Sequence, residues 1–134
     1  CDNAHALHPN HAEKTDAVNF VTMNGGIVIK ESANQKYTTD AFSRALFTGV
    51  CQNVNVPVQS FANRSDVVGG STLGNLSNTQ ISVHAVDFGL AQLAMHSCFE
   101  TAGVKDTEYA IAALKEFYET NVQIEEAESV CLEK

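Results

Sequence analysis

The sequence has few basic residues and no long apolar run. Its 8 lysine and arginine residues are outnumbered by 16 aspartate and glutamate residues, which gives a net charge of −8. This balance repels phosphate backbones and anionic lipid surfaces, and so argues against nucleic acid and membrane partners. No stretch of about 18 apolar residues is present, and no charged-then-apolar leader begins the chain. We therefore expect a protein that neither spans a membrane nor is exported.

The cysteines also lack any pattern typical of a metal site or a disulfide framework. They are Cys1, Cys51, Cys98 and Cys131, and no two of them are close in sequence. Small secreted domains that depend on disulfides carry more densely spaced cysteines. Reduced thiols are the simpler interpretation, and they favour a cytoplasmic location.

The length and composition fit one ordinary domain. The chain has 134 residues, of which 44% are hydrophobic and 18% are charged, so it can bury a core. We expect a single domain over residues 1–134 with an acidic tail at about 121–134. The tail contains Glu125, Glu126, Glu128 and Glu133, and we expect it to fray.

Strands and helices are predicted to alternate along the chain. A β-branched run at Ile27–Lys30 indicates a strand buried on both faces, and Thr38, Thr39 and Asp40 can cap a helix over residues 41–52. Further elements are predicted as a strand at 58–62, a short helix after the Gly69–Gly74 turn, a strand at 81–88 and a helix capped by Asp106 or Thr107. This alternation favours an α/β layered arrangement with a mostly parallel sheet.

The side chains best suited to chemistry lie near the start of the chain. Asp2, His5 and His8 are close in sequence, and His96 is a distant fourth candidate. Zinc binds imidazole nitrogen and carboxylate oxygen, and a hydrolytic site needs at least three protein ligands and a position for water. The spacing is not a tight helical signature such as His-Glu-x-x-His. On residue types alone, exposed or hydrogen-bonded histidines are an equal alternative.

Two other polar stretches have structural and functional interpretations. The Gly69–Gly74 turn could offer backbone N–H groups to an anion, or could simply need glycine for its geometry. It lacks the Gly-Lys-Ser/Thr ending of a P-loop, so nucleotide binding is unsupported. Arg64 and Asp66 are expected to pair with each other, and His84 is left out of the site because its neighbours are apolar.

Several stretches resemble the M18 family of zinc aminopeptidases, in particular its aspartyl aminopeptidase group. These stretches are residues 1–10, 26–30, 34–41, 69–74 and 92–97. They occur in the family's order and cover roughly residues 1–120. The resemblance implies the C-terminal part of an α/β/α peptidase core that acts on peptide substrates, within a protein that forms homo-oligomers.

The resemblance also implies roles for four residues. Asp2 and His96 match positions that each bind one of two zinc ions, and cobalt or manganese could occupy such sites. His5 matches a histidine that contacts the substrate carbonyl or the developing oxyanion. Lys30, which alone would be interpreted as a solvated strand-end lysine, matches a lysine that faces an acidic first side chain of the substrate.

The family's other metal-site residues have no counterpart in this sequence. In the family a first histidine ligand, a bridging aspartate and a Glu-Glu pair precede the stretch matched by Asp2. One ligand per metal cannot hold two zinc ions. We therefore expect a fragment, incomplete at its N-terminal side, that is inactive alone and has an exposed sheet edge.

Two other functions remain open at this point. A single-zinc binding module using Asp2, His5, His8 and His96 would bind metal stoichiometrically without peptidase activity. A non-catalytic assembly piece would associate without metal. Preference for acidic substrates depends on Lys30 alone and also stays open.

Overall fold

The computed structural model describes the backbone of residues 1–126 and 129–133. Its strands are β1 (Ala4–His5), β2 (Ile27–Lys30), β3 (Val58–Phe61), β4 (Phe88–Gly89), β5 (Ala91–Leu93), β6 (Thr101–Ala102), β7 (Asn121–Glu126) and β8 (Ser129–Glu133). Its α-helices are α1 (Ala41–Asn53), α2 (Leu73–Asn78) and α3 (Val104–Glu119), with a 3-10 turn at Ala12–Lys14.

Two small mixed sheets meet along residues 88–93. In one sheet β2 lies between β3, which is parallel to it, and β4, which is antiparallel. In the other, β5 lies between the parallel β1 and the antiparallel β6. The amide of Asp2 donates to the carbonyl of Phe88, and that of Ala4 to the carbonyl of Leu90, so β1 runs beside this junction. The predicted α/β class is confirmed, although the sheets are mixed rather than mostly parallel.

Strand β2 is the centre of the packed core, as its β-branched sequence predicted. All four of its residues are buried. On one face, Ile27 and Ile29 pack in a cluster with Phe47 of α1 and Ala113 of α3. On the other face, Val28 belongs to a second cluster that includes Tyr37 and Phe61. Alternating side chains of one strand therefore contribute to both halves of the core.

Helix α1 begins where its sequence predicted. The Asp40 carboxylate accepts a hydrogen bond from the Ser43 amide at 2.7 Å, and the Ser43 hydroxyl accepts one from the Asp40 amide at 3.0 Å. This reciprocal capping box satisfies two N–H groups that would otherwise lack partners. Phe47 and Val50 are buried, whereas Phe42 is half-buried and its ring centre lies 4.4 Å from that of His84.

The strand predicted over residues 81–88 is wrong for most of its length. Only Phe88 and Gly89 form strand β4, and Ile81 and Val83 are exposed. Alternating apolar residues form a strand only where a neighbour accepts their backbone hydrogen bonds. Here the pairing with β2 involves only Phe88 and Gly89.

The predicted cap of the last long helix is also wrong. Helix α3 begins at Val104 after Gly103, so Asp106 and Thr107 lie inside its first turns. Asp106 is completely buried, and its carboxylate accepts hydrogen bonds from the amides of Asn24 at 2.6 Å and Gly26 at 2.9 Å. Its carboxylate holds the turn before β2 instead of capping its own helix.

The C-terminal tail forms an antiparallel hairpin, so the expectation that it frays is wrong. Val122 pairs with Leu132, and Ile124 pairs with Val130, which places four apolar side chains on one face. Leu132 lies close to Gly49, so β8 contacts α1, whereas Ile124 on β7 is exposed. The side chains of Glu125, Glu126 and Glu128 lie outside the described part of the chain.

The four cysteines carry free thiols. Cys51 is buried in the core, and burial raises the pKa of its thiol to about 11. Across residues 1–126 and 129–133, no helix has the length and apolar character needed to cross a membrane.

Candidate functional site

A cavity of about 270 Å³ lies at the ends of β1 and β2. Its walls include Asp2, His5, Lys30 and His96, the four residues singled out in the sequence. These side chains come from three distant parts of the chain. The fold therefore brings together residues that are up to 94 positions apart, from Asp2 to His96.

The first strand delivers Asp2 and His5 to this cavity. Asp2 precedes β1, and His5 is its exposed last residue. The side chain of Asn3 fixes the strand, because it accepts from the Leu90 amide at 3.0 Å and donates to Gln92 at 2.7 Å. Gly89 also permits a close approach, since a Cβ atom there would lie 2.1 Å from the carbonyl oxygen of Asp2.

Lys30 is buried at the end of β2, and the interpretation of it as a solvated lysine is wrong. The residue is only 1% exposed, and its ammonium lies 2.6 Å from the carboxylate of Asp2. The same nitrogen lies 4.8 Å from the centre of the Tyr37 ring. A buried charge requires such partners, because its loss of hydration is otherwise very costly. A cation is thus fixed in the wall of the cavity.

His96 occupies an unusual backbone conformation. Its φ is 68°, and Ala94 two residues earlier has a φ of 54°. Non-glycine residues rarely adopt this left-handed region, and those that do collect at functional sites. The Glu100 carboxylate accepts a hydrogen bond from the His96 amide at 2.6 Å. Nothing in the sequence singled out Glu100, whose contact depends on this local turn.

A second cavity of about 620 Å³ adjoins the first. The two share wall residues that include His5, Phe61 and Asn63, so His5 stands between them. His8 lines the larger cavity, and its Nδ1 accepts from the Asn10 amide at 3.1 Å. The structure thus places His8 in the second cavity, with its ring 5.1 Å from that of His11.

The predicted pairing of Arg64 with Asp66 is confirmed. The Arg64 Nε donates to Asp66 at 2.9 Å, with a second bond from the other side of the guanidinium. These bonds hold the pKa of the Asp66 carboxyl below its usual value. His84 lines neither cavity, in agreement with its exclusion from the predicted site. Its Nδ1 lies 3.9 Å from the carboxylate of Asp40.

The glycine-rich loop forms another wall of the smaller cavity. Gly69, Gly70, Ser71 and Thr72 all line it, and α2 follows as predicted. The Thr72 hydroxyl donates to the buried carboxylate of Asp87 at 2.8 Å. Asp87 was missed in the sequence, where the only signal was a charged residue between the apolar Val86 and Phe88.

The donor atoms at this site suit zinc in type but not in number. Asp2 offers carboxylate oxygen and His96 offers imidazole nitrogen, both of which zinc accepts. In the part of the chain that the structure describes, no group of three or more histidine, cysteine, aspartate or glutamate side chains converges as a metal site. The Asp2 carboxylate is paired with Lys30. These residues could supply two ligands, and any further ligands would have to come from elsewhere.

Comparison with known proteins gives a consistent family match. Residues 1–118 match the family model described as aminopeptidase I zinc metalloprotease (M18). A curated relative from Clostridium novyi, described as a probable M18 family aminopeptidase 2, is 48% identical over 117 residues. That alignment covers 87% of this chain and 27% of the relative. The chain therefore spans about a quarter of the length of such relatives.

Solved structures show the same fold. A chain in the cryo-electron-microscopy structure of an Ape4 and Nbr1 complex superposes with a TM-score of 0.87 at 40% identity, covering 89% of this chain and 23% of that one. A dodecamer of mApe1 from S. cerevisiae superposes with a TM-score of 0.77 at 27% identity, covering 89% and 26%. The hairpin of β7 and β8 lies beyond the residues matched by the family model.

Proposed function

Because the chain belongs to the M18 family of zinc metalloproteases, we propose that it supplies part of the active site of a metalloaminopeptidase. The reaction is the removal of N-terminal residues from peptides. The observation that carries the proposal is the single cavity shared by Asp2, His5, Lys30 and His96. Two candidate metal ligands, a candidate oxyanion contact and a cation in one cavity form a set suited to that hydrolysis.

In this proposal Asp2 and His96 would each hold one of two metal ions, with the remaining ligands supplied from outside these 134 residues. Bound zinc would supply Lewis acidity and a water of lowered pKa. Cobalt or manganese could take the same nitrogen and oxygen donors. The chain's own part is to fix two of the donors: Asp2 through its bond to Lys30, and His96 through the turn held by Glu100.

The adjoining cavities suggest how a peptide would lie. The first residue would enter the smaller cavity, and the rest of the peptide would extend toward the larger one. His5, which lines both, would then stand beside the first peptide carbonyl, where its imidazole can donate to the developing oxyanion.

Lys30 would give this site its preference for acidic first residues. An ammonium has three N–H donors, and the carboxylate of Asp2 uses one of them. The Tyr37 ring faces the same nitrogen without using up its hydrogen bonds. A substrate carboxylate in the cavity would therefore find both a positive charge and donors already in place.

Assembly and location complete the proposal. A similar solved structure is a dodecamer, which supports a homo-oligomer for the complete enzyme. A cytoplasmic location follows the expectation drawn from four scattered cysteines, which carry free thiols.

The first test measures metal and activity on the same purified chain. Zinc is determined by elemental analysis after dialysis, and hydrolysis of aspartyl and leucyl anilides is assayed. We expect less than one firmly held zinc per chain and no turnover. Two zinc ions with turnover would contradict the partial site, and one zinc without turnover would favour a metal-binding module.

The second test restores the missing ligands. In a chimera, this chain takes the place of the 117 aligned residues of the Clostridium novyi relative, and the rest of that relative is kept. We call this chimera the fused enzyme. We expect zinc binding and aminopeptidase activity that are both lost in D2A and H96A. If D2A and H96A retained both zinc binding and activity, Asp2 and His96 would not belong to the site.

A further inference from the structure

A buried carboxylate bonds to one wall of the smaller cavity and has no role in the proposed reaction. Asp87 is 5% exposed and immediately precedes β4. Its Oδ2 accepts from the Thr38 amide at 2.8 Å, the Thr38 hydroxyl at 3.1 Å and the Thr72 hydroxyl at 2.8 Å. A carboxylate with three donors on one oxygen is a strong fixed point between separate segments.

The main chain of Asp87 is tied to the strand that carries Lys30. Its carbonyl oxygen accepts from the Lys30 amide at 2.9 Å. Its amide donates to the Thr39 hydroxyl at 2.9 Å. One residue therefore bonds to the end of β2 through its backbone and to the glycine-rich loop through its side chain.

The Thr72 hydroxyl bonds to Asp87 and does not cap the helix that follows it. The residue stands at the N-cap of α2, where a threonine hydroxyl ordinarily accepts from a backbone amide of the helix. No such bond is present, and the hydroxyl donates to Asp87 instead. Gly74 keeps α2 close to Thr38, the other hydroxyl partner of the Asp87 carboxylate, since a Cβ atom there would lie 3.1 Å from the Thr38 Cγ2.

We propose that Asp87 is a positioning residue that holds the Gly69–Thr72 loop at a fixed distance from the end of β2, and so shapes the cavity that receives the substrate's first residue. The inference rests on the proposed function for its effect on catalysis. Asp87 does not line the cavity and acts through Thr72 and Lys30, which do. Its loss should weaken substrate binding more than the chemical step.

The direct test is amide hydrogen exchange on the 134-residue chain. T72V removes the hydroxyl that donates to Asp87 while keeping the side-chain shape. T72S retains that hydroxyl, and D87N removes the negative charge of its acceptor. The control is D106N, because Asp106 is an equally buried aspartate whose bonds reach Asn24 and Gly26, outside the cavity.

We expect exchange over residues 69–80 to be at least 5-fold faster in T72V and D87N, near normal in T72S, and unchanged there in D106N. In the fused enzyme, T72V and D87N should raise KM for aspartyl substrates about 5-fold or more with kcat within 2-fold, whereas D106N should lower the melting temperature without moving KM. Unchanged exchange in T72V and D87N, or the same KM rise in D106N, would overturn the proposal. If the fused enzyme is inactive without these substitutions, the proposed function fails and the exchange result alone decides the role of Asp87.

Discussion

The ammonium of Lys30 lies 2.6 Å from the carboxylate of Asp2, although Lys30 is buried at the end of β2 and the Asp2 side chain is 57% exposed. The ion pair therefore links a buried lysine to an exposed carboxylate, and both side chains line the smaller cavity. It orients the Asp2 carboxylate and keeps the buried lysine charge compensated. One interaction thus connects a candidate metal ligand with the candidate determinant of substrate preference.

Replacing Lys30 by methionine should reduce the preference of the fused enzyme for aspartyl over leucyl substrates. A charge-assisted hydrogen bond contributes about 1.5–3 kcal/mol, so kcat/KM for aspartyl substrates should fall about 10- to 100-fold. Methionine keeps the length of the side chain and some of its packing. Loss of the bond to Asp2 should lower kcat/KM for both substrates, and the leucyl substrate, which needs no cation, should lose less. The measured quantity is the ratio of the two values.

Lys105 provides the matched control for this comparison. Its side chain is exposed at the start of α3 and lines neither cavity. K105M should leave the ratio of aspartyl to leucyl kcat/KM as it is. Equal losses on both substrates in K30M would assign Lys30 to holding Asp2 rather than to selecting substrates.

Local sequence signals predicted the elements whose causes are local. Ile27–Lys30 is β-branched and buried on both faces, and Asp40 begins α1 as its capping chemistry indicated. Residues 81–87 have a strand-like composition, yet none of them belongs to a strand. The role of Asp106 was also hidden, because its partners Asn24 and Gly26 are about 80 residues away. Tertiary contacts decided both outcomes.

Residue types pointed to Asp2, His5 and His96, and the resemblance added Lys30 and the roles, but their arrangement could come only from the fold. Nothing in the chain's spacing places these residues around one cavity. The pairing of β1 with β5 and the packing around β2 produce that proximity. Asp87 and Glu100 went unnoticed because a carboxylate that bonds to backbone or hydroxyl groups leaves no recognisable spacing in a sequence.

Replacing Gly89 by alanine should destabilise the fold at the site itself. The added Cβ would lie 2.1 Å from the Asp2 carbonyl oxygen and 2.7 Å from the Asn3 Cα, so β1 must move. Forcing atoms into packed structure costs roughly 1–3 kcal/mol, which urea unfolding would measure. G70A is the matched control, since no atom of the described residues lies within 4 Å of a Cβ atom there. Similar losses in both variants would mean that β1 does not pack closely on Gly89.

The capping carboxylate of α1 should make a pH-dependent contribution to stability. The Ser43 amide, whose bond it accepts, holds the pKa of Asp40 below its usual value, with a smaller effect from His84. A carboxyl with a lowered pKa stabilises the fold above its ordinary pKa of about 4, and the contribution is lost as pH falls through the lower value. At pH 7, D40A should cost about 1 kcal/mol.

The difference between D40A and the parent chain should shrink between pH 4 and pH 2. Urea unfolding at several pH values would measure it. D40N is the control, because asparagine caps a helix nearly as well but carries no titrating carboxyl. Its stability at pH 7 should stay close to that of the parent chain. A D40A difference that is constant down to pH 2 would show that the cap does not depend on the charge.

Replacing Asp106 by alanine should weaken the start of β2 without touching the cavity. The change leaves the amides of Asn24 and Gly26 without their acceptor, and of these two residues only Gly26 is buried. A buried donor without a partner costs about 1–3 kcal/mol, so the free energy of unfolding should fall by about that amount. Gly26 adds to the constraint. Its φ of 104° favours glycine, and a Cβ atom there would lie 2.1 Å from the Pro57 carbonyl oxygen.

Hydrogen exchange distinguishes this local cause from a general loss of stability. In D106A the amides around residues 24–30 should exchange faster than those of α1. Asp66 gives the control, since its carboxylate is exposed and bonds to Arg64 rather than to buried amides. D66A should leave exchange at residues 24–30 unchanged. If D106A accelerated exchange equally throughout the chain, the carboxylate would be stabilising the whole fold rather than the turn before β2.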